Sequence, residues 1–303
     1  MGHIITDLLN RFKQGNIHIQ LIYINVAVFV VFALLGVFGF LWGSSFTSLI
    51  ESYVSLPSSL NQLMTQPWSL ITYMFMHQGI WHLFFNMLCL YWFGELFLGS
   101  FSARHLRGLY ILGGLVGGVF FILACNFLPV LQSQLSGATL VGASAAIMAI
   151  TVAVAFKLPN YPVNLFLIGE IRMKYIAGAM VLISVVSVSG SNSGGEFAHL
   201  GGALVGWLFT RQLNHGHDIV AWINSILDLF NWISPRKWRA SKSSRKAKMK
   251  IHSEKDPKDW EYNVRKKNQN NEIDRILEKL KQSGYESLTT EEKKKLFDES
   301  KRG

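Results

Sequence analysis

Six apolar stretches can be drawn along this chain, and the segments between them alternate between basic and free of Lys or Arg. The stretches run from Leu21 to Gly43, Ile80 to Leu98, Gly108 to Pro129, Gly142 to just before Lys157, Tyr175 to Ser189, and Phe197 to Leu213. The first is long enough to cross a hydrocarbon core of about 30 Å as a helix. The last three are short and rich in Gly, Ala and Ser, which suits helices packed inside a bundle rather than bathed in lipid. With the N-terminus in the cytoplasm, the inner segments hold Arg11 and Lys13, Arg104 and Arg107, Lys157, Arg172 and Lys174, and Arg211 with the tail. The outer segments, 44–79, 130–141 and 190–196, hold no Lys or Arg. Basic residues therefore fall on one side, as membrane insertion requires. The expected fold class is an all-α membrane protein: a six-helix bundle with both ends inside and a small helical cytoplasmic tail.

Charge divides the chain in two. Residues 1–233 carry 8 Lys/Arg and 7 Asp/Glu, and residues 234–303 carry 21 and 12. A basic tail beside membrane segments faces anionic lipid and fixes topology, so lipid bilayer rather than nucleic acid is the expected partner. Cys89 and Cys125 both sit in apolar runs and read as buried hydrophobes. The expected division is a cytoplasmic N-terminus over 1–20, a six-helix core over 21–213, an interfacial helix and basic linker over 214–271, and a helical extension over 272–303. The long outer segment 44–79 mixes Phe46, Leu49, Leu60 and Met64 with Ser and Gln, as an amphipathic hairpin in the interface would. His217–Trp238 reads as an interfacial helix on the inner side. Ile273, Ile276, Leu277 and Leu280 share one helical face. Thr289 and Glu292 have the spacing of a capping box for a second short helix.

Polar residues inside a membrane bundle are expensive, which makes four groups informative. Val141-Gly142-Ala143-Ser144 stands at the start of the fourth stretch. A serine there meets the positive end of the helix dipole and free N–H groups, which favour a developing oxyanion. A Gly-x-Ser in a membrane is also a common packing motif. His199, in the sixth stretch, is a candidate base, followed by Gly202 and Gly206 on one face, where a neighbouring helix can come close. A structural histidine is the competing reading. His77, His82 and Asn86 form the third group; His82 and Asn86 lie four apart on one face and can donate hydrogen bonds to an oxyanion. Metal binding by these residues is disfavoured by the spacing of five between His77 and His82 and by the weak ligand Asn86. Glu95 reads as a structural carboxylate, too far along its helix from His82 to share a site.

In this order the motifs resemble the rhomboid family: His77-x4-His82-x3-Asn86 at span two, Gly142-x-Ser144 at span four, and Ala198-His199-x2-Gly202-x3-Gly206 at span six. The resemblance covers about residues 20–213, and the last 30 or so residues look like a cytoplasmic extension found on some bacterial members. It implies an intramembrane serine protease acting through an acyl-enzyme. Ser144 is then the nucleophile and His199 the general base of a dyad. His82, Asn86 and the Ser144 backbone N–H stabilise the oxyanion, and Gly142, His77, Gly202 and Gly206 shape the site. No third acid is expected, since no Asp or Glu lies in spans four to six as drawn. Neither cofactor nor metal is implied. Three positions depart from the family's common pattern: Ala145 for Gly, Met148 for an aromatic, and Ser69 after Trp68 for Arg. The implied partners are transmembrane protein substrates, with a partner of unknown kind for the tail. The implied location is a cell inner membrane, multi-pass, with both termini cytoplasmic. The alternative is a catalytically inactive rhomboid-like protein that binds membrane clients.

Overall fold

The computed structural model describes residue 12 and residues 15–43, 46–134, 137–165, 169–233, 275–276, 278–281, 284 and 287–300. The chain divides into two compact units, residues 1–233 and 234–303. Of the calls made on the sequence, Ile273, Leu277, Trp238 and the linker 239–271 lie outside the described residues.

The first unit is an all-α membrane protein. Helix α1 (Ile17–Leu41) is apolar around its whole circumference and leaves Val30, Leu34, Val37, Phe38 and Leu41 exposed, the surface lipid would cover. Two of its few buried positions, His18 and Asn25, face polar partners. His18 Nε2 meets the Glu95 carboxylate at 3.2 Å, and Asn25 Nδ2 donates to the Tyr110 hydroxyl at 3.2 Å. Glu95 thus pairs with a side chain of another helix.

The described residues of segment 44–79 form three short α-helices, α2 (Phe46–Val54), α3 (Leu60–Thr65) and α4 (Ser69–Thr72), and a 3-10 turn at Tyr73–Phe75. Side chains fasten the segment to its own backbone: Gln66 Nε2 donates to Ser52 O at 3.1 Å and Thr72 Oγ1 to Val54 O at 2.7 Å. Trp68 Nε1 donates to Tyr53 O at 2.9 Å, so the segment is held without an Arg after Trp68. Exposed Leu49, Tyr53 and Met64 give it an apolar outer surface. Strand β1 (Leu56–Pro57) pairs antiparallel with β2 (Thr139–Leu140), which ties this segment to the approach to Ser144.

Helices α5 (Ile80–Leu98) and α6 (Ala103–Phe127) follow, then short α7 (Pro129–Gln134) and α8 (Ser144–Lys157). By length and composition α1, α5 and α6 can each cross a membrane. Strands β3 (Pro162–Leu165) and β4 (Gly169–Arg172) make an antiparallel hairpin that the apolar pattern did not foresee. Helices α9 (Met173–Ser187) and α10 (Ser193–Asn214) complete the bundle. Helices α1, α6, α9 and α10 all begin earlier than their apolar stretches, and two of these starts matter here. Helix α6 starts at Ala103, where the Ser102 hydroxyl accepts from the His105 N–H. Helix α10 starts at Ser193 with a polar turn, Ser-Gly-Gly-Glu, that counting apolar residues passes over.

Helix α8 is the hub, with every residue from Ala145 to Ala155 buried. A helix apolar all round belongs inside a bundle, not at its surface. It packs against α5, α6, α9 and α10. A methyl group on Gly202 would run into the Ala145 carbonyl oxygen, and one on Gly206 into that of Ala149. The two backbones therefore touch along the whole contact, and Thr210 Oγ1 extends it by donating to Ala153 O at 3.1 Å.

Helix α11 (Ala221–Ile233) is docked rather than floating. Arg107 Nη2 donates to Asn224 Oδ1 and Asp228 Oδ1, both at 2.9 Å, while Arg104 reaches Asp228 Oδ2 at 2.6 Å. Trp222, Ile226 and Leu229 remain exposed, as on an interfacial helix. In the second unit, helix α12 (Thr290–Ser300) begins with the expected capping box. Thr289 N–H donates to Glu292 Oε2 at 2.7 Å, and the Glu292 N–H to Thr289 Oγ1 at 3.4 Å. The Thr289 N–H, helped by Lys279, holds the Glu292 carboxyl below its usual range.

Candidate functional site

Gly142 makes the turn that delivers Ser144. Its φ of +120° belongs to the region that L side chains rarely adopt, and its N–H donates to Tyr73 O at 2.9 Å. The His82 ring lies over it: a methyl at Gly142 would come within 2.8 Å of His82 Cε1. Two residues on, Ser144 opens α8. Ile147 is the first residue of this helix whose N–H bonds back, to Ala143 O at 3.0 Å. The N–H groups of Ser144, Ala145 and Ala146 stay outside the helical ladder, at its positive end.

His199 stands in the second turn of α10 and bridges two sides. Its Nε2 lies 2.8 Å from Ser144 Oγ. Its Nδ1 lies 3.1 Å from Glu196 Oε2 and 3.2 Å from Ser184 Oγ. The expectation that no acid accompanies the sixth span is therefore corrected. Because α10 starts at Ser193, Glu196 belongs to its first turn and faces the imidazole. The Glu196-x2-His199 spacing, which places both side chains on one helical face, could have shown this once the helix start was known. Ser184, from α9, carried no such signal.

A cavity of about 250 Å³ opens beside this pair, lined by Ser144, His199, Glu196, Asn86, Met148 and Met180 among others. Asn86 Nδ2 gives one hydrogen to His82 O at 2.8 Å, leaving the second for a ligand. Met148 forms part of the wall where an aromatic was the commoner choice. His77 sits behind His82, ring centroids 5.1 Å apart. It is buried, and burial first, then His82, pushes its pKa down to about 4. Among the described residues, no three His, Cys, Asp or Glu side chains gather as metal ligands would.

Ser144, His199, Asn86, His82 and Gly142 thus surround one place, with Gly202 and Gly206 clamping the helix of the histidine to that of the serine. A hydroxyl bonded to an imidazole nitrogen, next to free N–H groups, can be deprotonated and can attack a carbonyl.

Comparison with known proteins agrees in kind. A family described as a rhomboid domain matches residues 64–214, and residues 257–302 match a family of unknown function (DUF6576). The chain is 30% identical over 164 residues to RHOMBOID-like protein 12, mitochondrial, of Arabidopsis thaliana, a match covering 49% of this chain and 47% of that one. It is 28% identical over 202 residues to Rhomboid protein 1, mitochondrial, of Saccharomyces cerevisiae, covering 64% and 52%. It is 25% identical over 178 residues to Presenilin-associated rhomboid-like protein A, mitochondrial, of Danio rerio, covering 57% and 42%. The chain spans about half the length of these relatives.

Proposed function

Since residues 64–214 make this chain a member of the rhomboid family, we propose that it is an intramembrane serine endopeptidase, cutting peptide bonds in or near transmembrane segments. The observation that carries this reading is the 2.8 Å contact between His199 Nε2 and Ser144 Oγ. As the Ser144 oxygen attacks the scissile carbonyl carbon, its proton passes to His199 Nε2. The carbonyl electrons move onto oxygen, where the Ser144 N–H, Asn86 and His82 receive the charge. Collapse breaks the C–N bond, and His199 returns the proton to the leaving amine. Water then attacks the acyl carbon as His199 Nε2 takes its proton, the bond to Ser144 Oγ breaks, and the same nitrogen returns the proton to Ser144, releasing the carboxylic acid.

Length supports a site within the membrane. Helix α8 has 14 residues, about 21 Å at 1.5 Å per residue, short of a hydrocarbon core of about 30 Å. With Lys157 at the inner surface, Ser144 lies below the outer one. Helices α5 and α9 flank the cavity, so a substrate helix entering between them from lipid meets Ser144 directly. In this proposal the protein is multi-pass in a cell inner membrane with both termini cytoplasmic, and the core is residues 21–213. The roles of the linker 214–271 and the extension 272–303 lie outside the chemistry.

The test is cleavage of a transmembrane-segment substrate in liposomes. The native chain releases two fragments and the Ser144→Ala chain none; equal cleavage by both overturns the mechanism. Asn86→Ala removes one oxyanion donor, and kcat is expected to fall by about 10²-fold. Single-turnover rates on the same substrate check this.

A further inference from the structure

The proposed mechanism leaves open what orients His199. A neutral imidazole has two tautomers, and only the one with its proton on Nδ1 leaves Nε2 able to take the Ser144 proton. Glu196 Oε2 is 3.1 Å from Nδ1, and an ionised carboxylate can only accept. The contact is built in. Glu196 lies one helical turn before His199 in the first turn of α10, where the helix dipole favours a negative charge. Its side chain is only 13% exposed, so water screens the pair weakly. From α9, buried Ser184 Oγ lies 3.2 Å from the ring Nδ1, so a third helix also meets the imidazole there.

We infer that Glu196 is a positioning residue: its carboxylate holds His199 in the productive tautomer and steadies the imidazolium formed during attack, making a Glu–His–Ser triad where a dyad was expected. The consequence for rate rests on the proposed hydrolytic reading. The tautomer does not, and it can be measured separately. In this role Glu196 acts through the imidazole rather than on the reacting atoms, and its carboxylate stays ionised while protons pass among Ser144, His199, the leaving amine and water.

The experiment uses the full chain in detergent micelles, with 15N-labelled histidine and the variants Glu196→Gln, Glu196→Ala and Glu196→Asp. The native His199 is expected to show a protonated Nδ1 and an unprotonated Nε2. Glu196→Gln and Glu196→Ala are expected to shift that pattern towards the other tautomer, and Glu196→Asp to keep it. On a transmembrane substrate, kcat should fall on the order of 10²-fold in Glu196→Gln with KM little changed, and recover in part in Glu196→Asp. Thermal unfolding shows whether each variant is folded, and Glu196→Ala carries the test where Glu196→Gln is not. An unchanged 15N pattern in the folded Gln or Ala variant overturns the inference, as does undiminished kcat. If the native chain cuts nothing yet the 15N pattern shifts as stated, the tautomer assignment stands and the protease reading alone fails.

Discussion

His199→Ala is expected to lower kcat for a transmembrane substrate by about 10⁴–10⁶-fold, the range that loss of a catalytic base produces in serine hydrolases. At about 1.4 kcal/mol per decade, that is roughly 6–8 kcal/mol of lost transition-state stabilisation. The physical reason is local. Ser144 Oγ lies 2.8 Å from His199 Nε2, and without that acceptor the hydroxyl keeps its proton. KM should change little, since the imidazole acts on the reacting atoms rather than on the substrate's apolar length. The fold should survive as well. The side-chain hydrogen bonds of His199 go to Ser144, Glu196 and Ser184, all beside a cavity that water can enter. Kinetics in liposomes, with thermal unfolding as the control, check both halves.

Gly202→Ala is expected to damage stability and rate together. The added methyl would overlap the Ala145 carbonyl oxygen, a backbone atom that no rotamer change can move aside. Helices α8 and α10 must then separate, at a cost of about 1–3 kcal/mol, as overpacking in other cores shows. The same separation pulls His199, three residues before Gly202, away from Ser144, the neighbour of Ala145. A misplacement of about 1 Å at a reacting pair can lower rate by about 10²-fold. Gly206→Ala meets the Ala149 carbonyl in the same way, one turn further from the serine. It should destabilise comparably but slow the reaction less. Leu204→Ala, on the exposed side of the same helix, should leave both properties near native. Unfolding temperature and kcat measured on the three variants separate packing from alignment.

Much of this was legible before any coordinates. Lys and Arg confined to alternate segments set the expectation of six spans, because charge cannot easily be carried across lipid; by length and composition three of the described helices can cross on their own. Gly202 and Gly206 mark a close helix contact, because small residues at that spacing serve little else in a membrane. What they could not say was which helix comes close; α8 was one of several candidates. Ser144, His199, His82 and Asn86 stood out because polar groups are rare in apolar runs. Glu196 escaped for the opposite reason. It sits in Ser-Gly-Gly-Glu, a stretch polar enough to read as loop, and only a helix start at Ser193 turns its side chain toward His199. The hairpin from Pro162 to Arg172 escaped too, since four-residue strands leave too little alternation to detect.

The most direct measurement is covalent labelling of the native chain in liposomes with a fluorophosphonate, followed by mass spectrometry of its peptides. Such a probe forms an adduct only with a serine whose proton a neighbouring base removes. The account predicts one adduct on Ser144, absent from His199→Ala and competed away by a transmembrane substrate. A chain that cuts substrate with Ser144 unlabelled, or labels Ser144 equally well without His199, would contradict it.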